Sequence, residues 1–147
     1  MSDAGKLEAI WIKRARREAM DPVARANAVE GEGLVGNADF GAERQVTIVE
    51  REVFAALPTQ IRQAIDLSAR RANFMVSGIR LADTRDRVLQ IGPCRIRIRG
   101  ETKPCHRMDE ACPGLQDALK SNWGGGAWGD VLDGGEIRVG DRVDWVD

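Results

Sequence analysis

A chain of 147 residues has the usual size of one domain and can bury a core without disulfide or metal staples. Charged residues make up 31% and hydrophobic ones 43%, which excludes a polyelectrolyte tail, and no apolar run approaches the length of a membrane span. The net charge of −1 gives no general attraction to nucleic acid or to an anionic membrane, and with no tyrosine and three phenylalanines a base-stacking surface is poorly supplied.

The opening "MSDAGKLEAI" has no basic segment followed by an apolar one, so it does not read as a secretory signal. Three cysteines are an odd number without a framework spacing; reduced thiols in a cytoplasm are the expectation. Residues 7–14, "LEAIWIKR", read as a first strand, and 15–28 are polar with no clear period. "GEGLVGNADFGAE" (31–43) carries four glycines and is expected to be a loop with unusual backbone. "RQVTIVE" (44–50) is β-branched and strand-like.

Helical spacing appears once in this half. Val53, Phe54 and Leu57 form one face, Pro58 interrupts it, and Ile61 and Ile65 continue it, which predicts two short helices within 50–71. From Asn73 the texture changes to short strands: 73–81, 86–92, 94–101, 128–132, 136–141 and 142–146. "LDGGE" (132–136) reads as a hairpin turn, and "CPGLQDALKSN" (112–122) as a helix with Pro113 in its first turn. Seven or eight short strands with few helices predict a mainly β domain over 1–147, a closed or partly closed barrel or else a sandwich, with helical insertions.

"CRIRIRG" (94–100) alternates strictly. Cys94, Ile96 and Ile98 should face the core, and Arg95, Arg97 and Arg99 either solvent or an anion pocket. The strand ends at Gly100 and delivers "ETKPCHRM", a loop on a rigid sheet, where functional groups concentrate. Lys103, His106 and Arg107 stabilise a Cys105 thiolate, and Pro104 fixes the backbone before it. Physics alone leaves three readings for Cys105: a working thiol, a soft-metal ligand or an inert side chain. Zinc needs about four ligands, and adjacent Cys105 and His106 with a distant Cys112 supply them poorly. A cysteine–histidine hydrolase suffers from the same adjacency and from the lack of a second histidine. In "SNWGGGAWGDV" (121–131) the glycines allow close approach, and Trp123 and Trp128 beside them suit either a flap or a plug of the barrel end.

Three segments in order, "ARRANFMVSGIRL" (69–81), "LQIGPCRIRIRGETKPCHRM" (89–108) and "GLQDALKSNWGGGAWGDVLDGGEIRVGDRV" (114–143), resemble the MOSC domain found at the C-terminus of molybdenum cofactor sulfurases and as small stand-alone proteins. Arg71 and Asn73, Ile91 and Gly92, Pro104 and Cys105, and Gly134 through Asp141 carry the likeness. The resemblance implies a β-barrel with Cys105 as the metal ligand of a molybdenum cofactor or as a persulfide carrier. Arg71 and Asn73 then hold the pterin cofactor, with Lys103 and Arg107 beside it. A thiolate is a soft ligand suited to either role, and a guanidinium suits the cofactor's phosphate.

The activity implied is reduction of N-hydroxylated compounds; the alternative is a non-catalytic sulfur carrier loaded by a sulfur donor protein. These residues include no ferredoxin-type cysteine set and no flavin or pyridoxal phosphate domain, although the family is associated with pyridoxal phosphate. Electrons would therefore come from a redox partner protein. Where many relatives carry Gly-Asp in the first glycine loop, this chain has Gly36–Asn37, which keeps the shape and loses the charge; Asp39 stands close by in sequence.

Overall fold

The computed structural model describes residues 4–15, 19–64, 72–103, 113–114, 116, 119 and 123–146. Strand β1 (Gly5–Lys13) is followed by β2 (Met20–Val23), β3 (Arg25–Val29), β4 (Gly33–Leu34) and β5 (Val46–Glu50). Helices α1 (Arg51–Ala55) and α2 (Thr59–Ala64) lead to β6 (Phe74–Ser77), β7 (Val88–Ile91), β8 (Cys94–Glu101), β9 (Ala127–Asp133), β10 (Gly135–Arg138) and β11 (Arg142–Val146). The strands join in the order β11-β7-β8-β9-β5-β6-β1-β2, and β1 also pairs with β11. Seven strands thus form a closed barrel, with β2 continuing beyond the seam.

Two side-by-side pairs make that seam, Gly5 with Val143 and Lys6 with Arg142. Backbone bonds between Leu7 and Asp141 (2.9 Å) and between Gly140 and Leu7 (2.7 Å) extend it. The chain crosses from β5 to β6 through the two helices, and this is the parallel pair of the ring, as a crossover requires. Pro58 separates the helices as its geometry dictates. Their apolar side chains, Val53, Phe54 and Ile61, pack with Leu57 and Leu119. Among the described residues no helix is long and apolar enough to cross a membrane.

The core explains the pattern. Cys94, Ile96 and Ile98 are wholly buried, while Arg95, Arg97 and Arg99, which alternate with them, are exposed. Arg95 and Arg99 meet Asp133 (3.6 Å) and Asp130 (3.4 Å) on β9, so this face is solvated and partly neutralised by its neighbour. Burial pushes the Cys94 thiol up from 9.0 to about 12, with the nearby Asp133 charge as the smaller cause. It is a small hydrophobe.

A second sheet of β10-β3-β4 packs Ala26, Ala28, Leu34 and Ile137 onto the same core. One stretch that the sequence left open is thereby assigned, and one expectation is corrected. Residues 15–28 contain two strands, and 132–136 is not a hairpin turn: β10 leaves β9 and pairs with β3. Gly134 is needed there because a side chain would strike the carbonyl of Ala28. The expected helix at 112–122 lies largely outside the described residues.

The tryptophan–glycine segment is a plug. Trp123 packs against the core and Gly124 through Ala127 are buried. Gly126 has φ +95°, and a methyl group there would collide with the carbonyl oxygen of Ile48. Gly126→Ala should therefore lose at least about 2 kcal/mol of stability in urea unfolding.

Cys94 gives a second expected outcome. Its folded-state proton is held more tightly than in the unfolded chain, so stability is intact below about pH 9 and declines as pH rises towards 12. The wild type should lose up to about 1.4 kcal/mol per pH unit in that window relative to Cys94→Val, measured by paired urea melts.

Candidate functional site

One row of residues crosses four strands of the barrel wall. Glu101 pairs with Ala127, Ala127 with Ile48, and Ile48 with Phe74. Three strand spacings, roughly 14 Å along the wall, separate the end of β8 from the start of β6. Cys105 and Arg107 follow the first of these positions, and Arg71 precedes the second. All three lie outside the described residues. Lys103 is described and exposed, and Thr102 is tied to the plug by its N–H to the carbonyl of Gly126 (2.8 Å). The Thr102 hydroxyl oxygen is buried and has no hydrogen-bond partner among the described residues.

Asn73, 4% exposed, is a junction. Its Oδ1 accepts from the Thr47 N–H (3.1 Å) and the Thr47 hydroxyl (3.3 Å). Its Nδ2 donates to the Trp11 carbonyl (3.1 Å) and to Asn37 Oδ1 (3.2 Å). All four hydrogen-bonding positions of the carboxamide are therefore used inside the fold. Asn73 holds β1, β5 and the glycine loop together, and its donor and acceptor are engaged before any ligand arrives.

Asn37 is equally buried, and its Oδ1 also accepts from the Lys13 N–H (2.9 Å). Both donors go to one oxygen, which an aspartate carboxylate would supply as well, so these two contacts need the shape of the side chain and not its charge. Asn37 Nδ2 is left buried with no partner among the described residues. Preceding it, Gly36 takes φ +84°, a conformation that side chains rarely adopt.

Beside this junction lies a cavity of about 270 Å³, walled by Lys13, Asp39, Arg44, Thr47 and Asn73 with apolar Met20 and Ala42. Lys13 Nζ pairs with Asp39 Oδ2 at 2.8 Å, and the Arg44 guanidinium sits 5.2 Å from the ring centre of Trp128. Two cations against one carboxylate make the cavity suited to an anion, and Arg44 forms no ion pair among the described residues. A larger hollow, about 820 Å³ beside Glu50, Glu52, Arg80 and Asp83, carries more carboxylate than cation and suits an anion poorly. Among the described residues, no group of three or more histidine, cysteine, aspartate or glutamate side chains is placed to hold a metal ion.

Lys13 and Arg44 were not legible as site residues in the sequence. Lys13 ends an apolar strand, where a charged residue is ordinary, and Arg44 lies in a mixed-charge run. The one signal available was that Arg44 directly follows the glycine loop that carries Asn37; Lys13 had none.

The MOSC domain family matches residues 36–144. Comparison with curated proteins gives no match. Among solved structures, the YuaD protein from Bacillus subtilis superposes with a TM-score of 0.78 at 20% identity, covering 96% of this chain and 94% of that one. YiiM from Geobacillus stearothermophilus gives 0.76 at 16% identity, with 97% and 75% covered. YiiM from Escherichia coli gives 0.66 at 12%, with 97% and 70% covered. At these identities the likeness is one of fold.

The junction makes a direct prediction. Asn73→Ala removes a side chain that serves three separate segments: the Thr47 N–H and the Trp11 carbonyl lose the bonds it makes, and Asn37 Oδ1 keeps only the Lys13 N–H. Urea unfolding should show a loss of roughly 2–4 kcal/mol, whereas Lys103→Ala, at an exposed position, should change stability by less than about 0.5 kcal/mol.

Proposed function

The chain belongs to the MOSC domain family, and from that premise we propose that it binds molybdenum cofactor, with the Cys105 thiolate as metal ligand, and reduces N-hydroxylated compounds using electrons from a separate protein. The family is generally associated with that cofactor. The observation that carries the reading for this chain is the cationic cavity of Lys13 and Arg44 beside Asn73.

The residues fit such a group. The cofactor is an anionic pterin with a phosphate, and the cavity offers an ammonium and a guanidinium at its wall. Arg71, two residues before Asn73 in the chain, would add a further guanidinium. The unpartnered Thr102 hydroxyl lies in the segment that leads into the cysteine loop, where a polar ligand group would satisfy it.

In this reading each part has a task. Lys13, Arg44 and Arg71 bind the phosphate. Asn73 keeps Thr47 and Asn37 in place and so shapes the cavity instead of touching the pterin. The β8 strand, anchored through Glu101 and Thr102, presents Cys105, whose sulfur is a soft anionic donor matched to molybdenum. Lys103 and Arg107 flank it and raise the local positive potential, which favours an anionic cofactor. When bound, the cofactor supplies the redox-active metal for reducing an N–OH group.

Protein purified from cells that make the cofactor should contain near-stoichiometric molybdenum by elemental analysis. Cys105→Ser should lose the metal, and Lys13→Met combined with Arg44→Ala should lower its occupancy at least about tenfold, the effect of losing two charge-assisted contacts. Absence of molybdenum, together with a gain of one sulfur atom on Cys105 after treatment with a cysteine desulfurase, would replace this reading with the sulfur-carrier one.

A further inference from the structure

Three consecutive residues of the glycine loop converge on Lys13. Asn37 Oδ1 accepts from its backbone N–H at 2.9 Å, the Ala38 N–H donates to its carbonyl at 2.6 Å, and the Asp39 carboxylate pairs with its ammonium at 2.8 Å. The first two contacts fix where the Lys13 backbone sits. The third spends the charge that Lys13 would offer to an anion in the cavity. Asp39 is itself part of the cavity wall, so its carboxylate stands at the contact a bound anion would make.

We propose that Asp39 is the resident counter-anion of this cavity and the residue that sets its affinity, so that a ligand phosphate is taken up by exchange with the Asp39 carboxylate at Lys13. The inference rests on the anion-binding reading above and adds a residue and a device to it. Side-chain exposure of 22% for Lys13 and 37% for Asp39 gives the carboxylate a route into water when it is displaced. The backbone contacts of Asn37 and Ala38 do not involve the exchanging groups, so the loop stays docked while one side chain turns. Arg44, held over Trp128, remains on the wall in both arrangements. The result is a pocket that is charge-balanced at Lys13 when empty and that returns to that balance when the ligand leaves.

Coulomb's law fixes what should be seen. The repulsion between Asp39 and a ligand scales with ligand charge, so deleting the carboxylate must help a dianion more than a monoanion of the same shape. Sulfate and methyl sulfate form such a pair. At an ionic strength of about 0.1 M, equilibrium dialysis should show Asp39→Asn binding methyl sulfate about threefold tighter than the wild type and sulfate about tenfold tighter, since doubling the charge squares the ratio. Asp39→Ala should behave in the same way. The control is Asp144→Asn, which removes the same unit of charge from a β11 carboxylate paired with Arg142 at 3.0 Å, at the other end of β1 from Lys13. It should change either affinity by less than about 1.5-fold at distances where salt screens.

Anion binding to the wild type with no gain in the Asp39 variants, or an equal gain in the Asp144 control, overturns the exchange proposal and leaves the anion pocket standing. If neither anion binds the wild type or the variants, the pocket reading falls with it.

Discussion

The site end of this barrel depends on one buried carboxamide having all its hydrogen bonds made. Asn73 sits just before β6 and reaches Thr47 on β5, Trp11 on β1 and Asn37 in the glycine loop. A buried amide group without partners costs about 1–3 kcal/mol for each unmet position, so the four positions act as a strong demand that these segments approach in one arrangement only. Once they do, Lys13 and Arg44 are brought to the same wall. The cavity is therefore a by-product of satisfying a polar group in the core.

That economy explains why the charged residues of the site need little support of their own. Exposed ion pairs hold side chains weakly, and the Lys13–Asp39 contact is partly exposed. Its geometry comes from the loop backbone, which is locked to Lys13 through Asn37 and Ala38. The arginine face of β8 follows a different logic. There the strand neighbours supply carboxylates, Asp130 and Asp133, which neutralise two of the three arginines along the sheet. The two basic regions thus have different surroundings: the β8 arginines stand on an open, solvated face, whereas Lys13 and Arg44 stand at the wall of a cavity.

Much of the barrel was legible in the sequence where burial is one-sided. β8 alternates because one face meets hydrocarbon and the other water, and its boundaries read directly. The two helices around Pro58 were equally plain. β3 was not, because its inward residues are alanines, which carry little strand signal, and they are small because another sheet lies close against them. The glycines at 134 and 135 misled for a related reason: glycine marks close approach as well as tight turning, and here Gly134 makes room for the Ala28 carbonyl. In the candidate site, Asn73 stood out by motif but its use did not, since hydrogen bonds to residues up to sixty-two positions away leave no local trace. Lys13 and Arg44 were silent, as each is unremarkable beside its chain neighbours.

The seam between β1 and β11 has a consequence for how the molecule is made. The ring closes by joining the N-terminal strand to the C-terminal one, through Gly5–Val143 and Lys6–Arg142. On a ribosome, β2 covers the Ile10–Lys13 half of the seam edge of β1 at once, but the Gly5–Leu7 half waits until β11 emerges, so the cylinder cannot close progressively as the chain is synthesised. Long-range closure of this kind slows folding and leaves a short strand edge open during translation.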